Sequence, residues 1–479
     1  MLIGREEETR DLLDALDEYE SQFLAVYGRR RVGKTHLVRE VYRDRFVFCH
    51  AGLANAGTEG QLEAFRQSLC DWLLPDGCPT FKDWHDAFYA LVDALPKENR
   101  ESREKMVVFL DELPWMDRPK SNLISALEHV WNQWLSARHD IVLVVCGSSS
   151  SWMVRKVFRD HGGLYGRLNR QIRLVPFSLR ECELYCEARG LALSRTQILD
   201  AYMVFGGVPF YWSLLRPGES VAQAVDRLCF APRGELAGEF RRLFASLFRR
   251  PEPYAAVASA LGTRNSGLSR KEISVASGVP NGGTLTKILE DLEWCGFVRR
   301  DIPPGRKERD SVYQLIDAFS LFHLRFLAGA ASGGDPRFWE GTAETGARRA
   351  WRGLAFERVC LVHAEQIKRA LGIAGVHVRA YAWRRAPGPD GAPGAQVDLV
   401  LDRADGIVDL CEMKCTDAPF ALDKAGDEAL RRRESAFRDA TKTRKAIHHV
   451  LVSAAGRARS QYMWSFQNVV ALDDLFRDA

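Results

Sequence analysis

The sequence predicts an α/β protein built in three successive parts, and three observations carry that reading. Short β-rich runs alternate with longer amphipathic stretches over residues 1–216. Two short helical patterns split by a glycine-containing turn, followed by two extended runs, mark residues 217–328. A second series of strands, introduced by a long helix, fills residues 337–479. Alternation of the first kind argues for βαβ units around a mostly parallel sheet.

Taken in order, the runs at 23–27, 46–49, 106–110, 141–146 and 172–174 read as buried strands, being short and apolar. In the middle part Ser269 is a candidate N-cap and Glu272 its capping-box partner, since together they satisfy orphan backbone donors at a helix start. A turn at 278–283 leads to a second helix at 284–295, which Gly296 ends. With extended segments at 297–300 and 311–315, this is a winged-helix pattern. Residues 329–336, rich in Gly, Ala and Ser, read as a linker. A helix at 350–371 follows, then strands at 376–383, 396–401, 407–414 and 447–453, with a Pro/Gly loop at 386–395. This last part reads as a separate α/β domain.

Composition sets the bounds. A chain of 479 residues suggests about three domains. A hydrophobic fraction of 46% and a charged fraction of 27% are ordinary for a globular protein. The net charge of +4, from 67 basic and 63 acidic residues, neither demands nor excludes nucleic acid. Charge appears within the first six residues and the apolar runs are strand-length, so a cytoplasmic protein without signal peptide or membrane span is expected. The eleven cysteines lack a scaffold spacing; Cys182/Cys186 and Cys411/Cys415 have no matching ligand pair and read as reduced thiols.

Gly28-Arg29-Arg30-Arg31-Val32-Gly33-Lys34-Thr35 fits GxxxxGK[ST] between a predicted strand and a predicted helix. The glycines let backbone N–H groups turn toward phosphate oxygens, and the helix start adds its positive dipole end. Lys34 is expected to reach the β- and γ-phosphates of ATP and Thr35 to ligate Mg²⁺. Asp111 and Glu112 end the strand at 106–110, Asp111 as a metal-side residue and Glu112 as the group that polarises the attacking water. Ser148 or Ser149, at the end of the strand at 141–146, is placed to sense the γ-phosphate or to cap a turn. Arg167 reads either as an arginine finger in a homo-oligomer, a phosphate sensor, or a surface ion-pair residue.

These motifs, with the opening Gly4-Arg5-Glu6-Glu7-Glu8, Cys146-Gly147-Ser148-Ser149 and Phe205-Gly206-Gly207-Val208-Pro209, resemble the archaeal-type ATPase family, a branch near the AAA+ and STAND nucleotidases. The resemblance covers about the first half of the chain. It implies ATP binding, slow hydrolysis, and a place for Gly207 and Pro209 in a lid near the nucleotide.

The C-terminal part gathers a second set of chemical groups. Glu357 lies on a predicted helix, Asp398 on a strand, and Glu412 and Lys414 two apart on the next strand, hence on one face. Carboxylates that hold Mg²⁺, with a lysine to orient or deprotonate water, suit phosphodiester hydrolysis, with Asp398 and Glu412 as the metal ligands. A buried ion pair of Lys414 with Glu412 or Asp398 is the alternative, because an unpaired carboxylate among apolar residues is costly. The order helix-Glu, strand, strand-Asp, strand-Glu-x-Lys resembles the PD-(D/E)XK nuclease superfamily, which implies a restriction-endonuclease-like fold. DNA or RNA contact is expected there and at the winged helix, through Arg270, Lys271, Lys287, Arg299 and Arg300. Against it, Glu290, Asp291 and Glu293 place negative charge on the candidate recognition helix. The run Arg431-Arg432-Arg433 reads as a solvated helix face or a phosphate clamp. The two functional readings are a nucleotide-regulated nuclease and an ATP-dependent switch that binds without cutting.

Overall fold

Strand burial follows the apolar runs. In the computed structural model, which describes residues 2–99, 104–158, 164, 166–302, 307–329, 335–385 and 394–478, β1 (Gln22–Tyr27) is buried at every position. So is β4 (Ile141–Gly147), and β3 (Met106–Asp111) is buried beyond its first residue. β2 (Phe46–Ala51) and β5 (Arg170–Arg173), more exposed, form the edges. The five strands make one parallel sheet in the order β2-β3-β4-β1-β5. Parallel strands covered on both faces need this near-continuous apolar composition. Helices α1 (Glu6–Asp17) and α2 (Lys34–Val41) supply Leu12, Leu37 and Val38 to the core on one side of the sheet. Helices α3 (Thr58–Trp72) and α4 (Trp84–Ala94) supply Phe65, Trp84 and Phe88, whose rings pack edge to face or stacked.

The main division of the chain falls after Pro176, giving compact units Met1–Pro176 and Phe177–Ala479. The sequence reading placed the first boundary at 216 and a second near 330. One hydrophobic cluster explains the difference within the second unit. It runs from Phe177, Phe205 and Trp212 through Phe319 and Phe322 to Trp351, Phe356, Leu399 and Val450. The segment 177–216, the middle part and the C-terminal sheet thus share a core. Within it Gly207 has a packing role: a Cβ there would stand 1.8 Å from the carbonyl oxygen of Phe177.

The middle part contains α5 (Pro251–Gly262), α6 (Arg270–Ser277) and α7 (Gly283–Trp294) beside a small antiparallel sheet. That sheet has the order β6-β8-β7, from β6 (Leu268–Ser269), β7 (Val298–Asp301) and β8 (Val312–Leu315). Ser269 and Glu272 form the expected capping box, and Gly278 takes the left-handed conformation that ends α6. Asp291 differs from the sequence reading. It is buried and accepts a hydrogen bond from the Tyr254 hydroxyl at 2.5 Å, so its charge does not face outward.

In the C-terminal part, the helix expected at 350–371 is broken into α8 (Gly346–Val362) and α9 (Ala364–Ala370). His363 makes the break. Its ring is buried, with Nδ1 2.8 Å from the carbonyl of Val359 and Nε2 accepting from the Leu179 N–H at 3.0 Å. The sheet order is β13-β12-β11-β10-β9. β9 (Val378–Arg385), β10 (Ala395–Arg403) and β11 (Ile407–Lys414) pair antiparallel, and β12 (Ala446–Ser453) and β13 (Asn468–Ala471) add on in parallel. β13 has no counterpart in the sequence reading. Helix α10 (Lys424–Thr441) buries Leu430 and Phe437. The 329–336 linker and the 386–395 loop lie largely outside the described residues.

Arginines join the small sheet to this larger one. Arg299 donates to the carbonyl of Ala380, Arg379 to that of Ile302, and Arg384 to that of Gly267 and to Glu272. From α8, buried Arg358 donates to the carbonyls of Leu315 and Asn265.

Candidate functional sites

In the parallel sheet, ligands are expected outside the carboxyl ends of the strands. β1 ends at Tyr27, and the chain then passes so close to the end of β5 that a Cβ on Gly28 would meet the Leu174 carbonyl oxygen at 2.1 Å. Arg31 and Gly33 adopt positive φ, 73° and 93°, which curls the loop. A Cβ on Gly33 would meet nothing within 4 Å, so the backbone at Gly33 faces open space. Val32 points into the core, leaving its backbone to the loop. Lys34, the first residue of α2, is buried and donates from Nζ to the Arg29 carbonyl at 3.0 Å. Arg29 is also buried, and the Arg30 guanidinium lies 6.0 Å from the Trp115 ring centre.

Strands β4 and β3 complete the site. The Thr35 hydroxyl donates to Asp111 Oδ2 at 2.7 Å. Asp111 Oδ1 accepts the N–H of Glu112 at 2.9 Å. Glu112 itself is left-handed, at φ 48°, and leads into a short helix, Leu113–Met116. Its Oε2 accepts from both the hydroxyl and the N–H of Ser148, at 2.7 and 3.2 Å. The structure thus brings together Lys34, Thr35, Asp111, Glu112 and Ser148. Ser149 begins the next short helix, Ser150–Met153. Arg167 is exposed, and Tyr165 beside it lies outside the described residues.

The loop and its surroundings fit the group they imply. A loop with positive φ at Arg31 and Gly33, leading into a helix start beside a lysine, suits phosphate. A hydroxyl and a carboxylate in contact are oxygen donors of the kind Mg²⁺ takes.

The second cluster lies in the C-terminal sheet. A bulge in β10 between Val397 and Val400 sets Asp398 apart from the regular ladder, and Asp398 Oδ1 accepts from Gln396 at 2.5 Å. On β11, Lys414 Nζ lies 2.7 Å from Glu412 Oε1, as the two-residue spacing predicts. Arg433 of α10 pairs with Glu412 Oε2, a contact the sequence reading missed. The signal was present, because Arg433 is three residues after buried Leu430 and four before buried Phe437, on the inward stripe of the helix. Burial would raise the Glu412 carboxyl, but Arg433 and Lys414 outweigh it and hold the pKa below the ordinary value. Glu357 on α8 behaves oppositely. Burial, and then the negative charge of Asp398, push it to about 7; Glu412 adds to the effect, against Arg358 and Lys414. Glu357, Asp398, Glu412 and Lys414 are therefore one electrostatic cluster. Among the described residues, no group of three or more His, Cys, Asp or Glu side chains is arranged to hold a metal ion. Both Glu412 oxygens are paired with cationic side chains, Lys414 and Arg433, with which a metal ion at this carboxylate would compete.

A parallel sheet with a phosphate-type loop after inner strand β1 and an acidic pair ending β3 defines a P-loop nucleotide-binding domain. Residues 2–214 match a protein family described as an ATPase domain predominantly from Archaea. An uncharacterized protein of Methanocaldococcus jannaschii is 23% identical over 370 residues, 75% of this chain and 76% of its own. Among solved structures, a Walker-type ATPase of Pyrococcus abyssi is 19% identical, with a TM-score of 0.49, over 68% of this chain and 96% of its own. The ORC2 protein of Aeropyrum pernix, solved as ADPNP–ADP complexes, is 17% identical, with a TM-score of 0.40, over 67% and 91%. No helix among the described residues is long and apolar enough to cross a membrane.

Proposed function

We propose that the chain binds and hydrolyses ATP with Mg²⁺, and that its nucleotide state regulates a C-terminal nuclease-like domain acting on DNA or RNA. The contact of Thr35 with Asp111 at 2.7 Å, one residue after Lys34, carries the first half of this reading. In it, Lys34 and the backbone of residues 28–33 hold the phosphates, and Thr35 and Asp111 hold the magnesium that offsets phosphate charge. Glu112 orients the attacking water, with Ser148 setting the direction of its carboxylate. Loss of ATP binding in Lys34→Ala is the required result; unchanged affinity would refute the site.

For the second half, the gathering of Glu357, Asp398, Glu412 and Lys414 supports a PD-(D/E)XK-type centre. The paired state of both Glu412 oxygens favours the second reading, an ATP-dependent switch that binds partners or DNA without cutting. Incubation with DNA and RNA in Mg²⁺ or Mn²⁺, with and without ATP, decides between them. Cleavage lost in Lys414→Ala supports the nuclease; wild type and variant equally inert throughout would leave the switch.

Helices α5 to α7 with the small antiparallel sheet support the winged-helix reading. There Arg270 is engaged by Asn281, Gly282 and Thr286, and Arg299 by Asp301 and Ala380. Lys271 and Lys287 are exposed, and are the residues proposed to meet nucleic-acid phosphates. A role for Arg167 needs a second copy of the chain, which solution mass with and without ATP tests.

A further inference from the structure

One cation of the phosphate loop has no task in the function proposed above. Of the three consecutive loop arginines, Arg29 is buried, and Arg31 is bent by its positive φ. Arg30, between them, is only half-buried, and its guanidinium lies 6.0 Å from the centre of the Trp115 ring. Among the described residues no carboxylate pairs with it. The ring it rests on is well anchored. The Trp115 N–H donates to the Glu112 carbonyl at 2.9 Å, and the Trp115 carbonyl accepts from Gln61 of α3 at 3.1 Å. On the side of Gly52, an added Cβ would stand 3.2 Å from that of Trp115.

We propose that the Arg30 guanidinium binds the γ-phosphate and so lets the site tell ATP from ADP, a role that rests on the ATP reading of this site. Thr35 and Asp111, in contact at 2.7 Å, fix where magnesium would be held, and magnesium bridges the β- and γ-phosphates. Glu112, next in the chain, is the group assigned to the water that attacks the γ-phosphate. The γ-phosphate therefore belongs at the end of β3, and Trp115 follows that end by three residues. Trp115 thus keeps Arg30 on the γ side of the loop.

The energetics favour a transfer from ring to phosphate. A guanidinium over a partly exposed aromatic ring is weakly held. With a phosphate it makes paired, charge-assisted hydrogen bonds, which are among the strong ones. ATP supplies that partner. ADP ends one phosphate short, and Arg30 stays on Trp115.

The test is calorimetric titration of the full-length protein, in Mg²⁺, with ADP and with the non-hydrolysable β,γ-imido analogue of ATP. Arg30→Gln keeps most of the side-chain length and removes the charge. It should weaken binding of the triphosphate roughly tenfold or more, the effect of losing one charge-assisted hydrogen bond, and leave ADP binding unchanged. Unchanged ADP binding also shows that the loop is intact. Equal losses for both nucleotides, or no loss for either, would overturn the role of Arg30. Lys34→Ala separates this failure from failure of the site. If Lys34→Ala loses both nucleotides while Arg30→Gln loses neither, the ATP site stands and Arg30 is removed from it. Wild type that binds neither nucleotide would overturn the ATP site and the role of Arg30 together.

Discussion

Glu112 and Ser148 are bound to each other twice, through the serine hydroxyl at 2.7 Å and its backbone N–H at 3.2 Å. The pair joins the ends of β3 and β4. Removing the hydroxyl leaves one hold on the carboxylate and lets it rotate away from the water it is proposed to orient. Ser148→Ala should lower the turnover of ATP by on the order of tenfold and change ATP affinity little; Glu112→Gln should cost on the order of a hundredfold. Steady-state kinetics with a separate binding titration checks both. Full turnover in Glu112→Gln would remove Glu112 from the chemistry.

Gly207 offers a test of the second unit that does not depend on any activity. The N–H of Phe177 donates to its carbonyl at 2.6 Å, and an added Cβ would press on the Phe177 carbonyl oxygen. Gly207→Ala should destabilise by roughly 1–3 kcal/mol, the usual range for overpacking a well-packed core. Urea denaturation followed by tryptophan fluorescence measures it, and an unchanged midpoint would contradict the close approach.

The parallel sheet was legible because its strands carry their information locally. Val107, Val108, Phe109 and Leu110 are buried on both faces, and such a strand is apolar at consecutive positions whatever surrounds it. Lys34, Thr35 and Asp111 were legible for a similar reason, since the loop and the strand end each announce themselves. What escaped the sequence depends on distant partners. His363 interrupts a helical pattern because of a bond to Leu179, far back in the chain. Asp291 looked like surface charge until Tyr254 was placed beside it. The shared core from Phe177 to Phe476 hid the domain boundary, because apolar residues that bury against another part look the same as those burying within their own.

His363 also makes the second unit sensitive to mild acid. Burial lowers the ring's pKa to about 4, from an ordinary value near 6.5. The neutral ring accepts the Leu179 N–H through Nε2, and protonation removes that acceptor. The unfolded chain takes up a proton near pH 6.5 and the folded one only near pH 4. Stability from this residue is therefore complete above about pH 6.5 and is lost as the pH falls toward 4, by about 3 kcal/mol at most. His363→Gln should flatten the fall in denaturation midpoint across that window. Identical slopes for the two proteins would show that His363 does not carry the dependence.

Arg433 provides the sharpest test of the C-terminal cluster, because it pairs with one of the two Glu412 oxygens for which a metal would compete. A charge-assisted bond of this kind is worth about 1.5–3 kcal/mol, and a competing cation must displace it. Arg433→Ala removes the competitor while Lys414 still holds the other oxygen at 2.7 Å. If Asp398 and Glu412 form a metal site, Mn²⁺ should bind the variant about tenfold more tightly than wild type, since 1.4 kcal/mol is a factor of ten. If Glu412 serves only as the centre of an ion-pair network, the variant gains no affinity for Mn²⁺ and loses stability instead. Calorimetric titration with Mn²⁺ together with a denaturation midpoint separates these outcomes. Asp398→Asn in the Arg433→Ala background should abolish any gain, because the second ligand would then be missing.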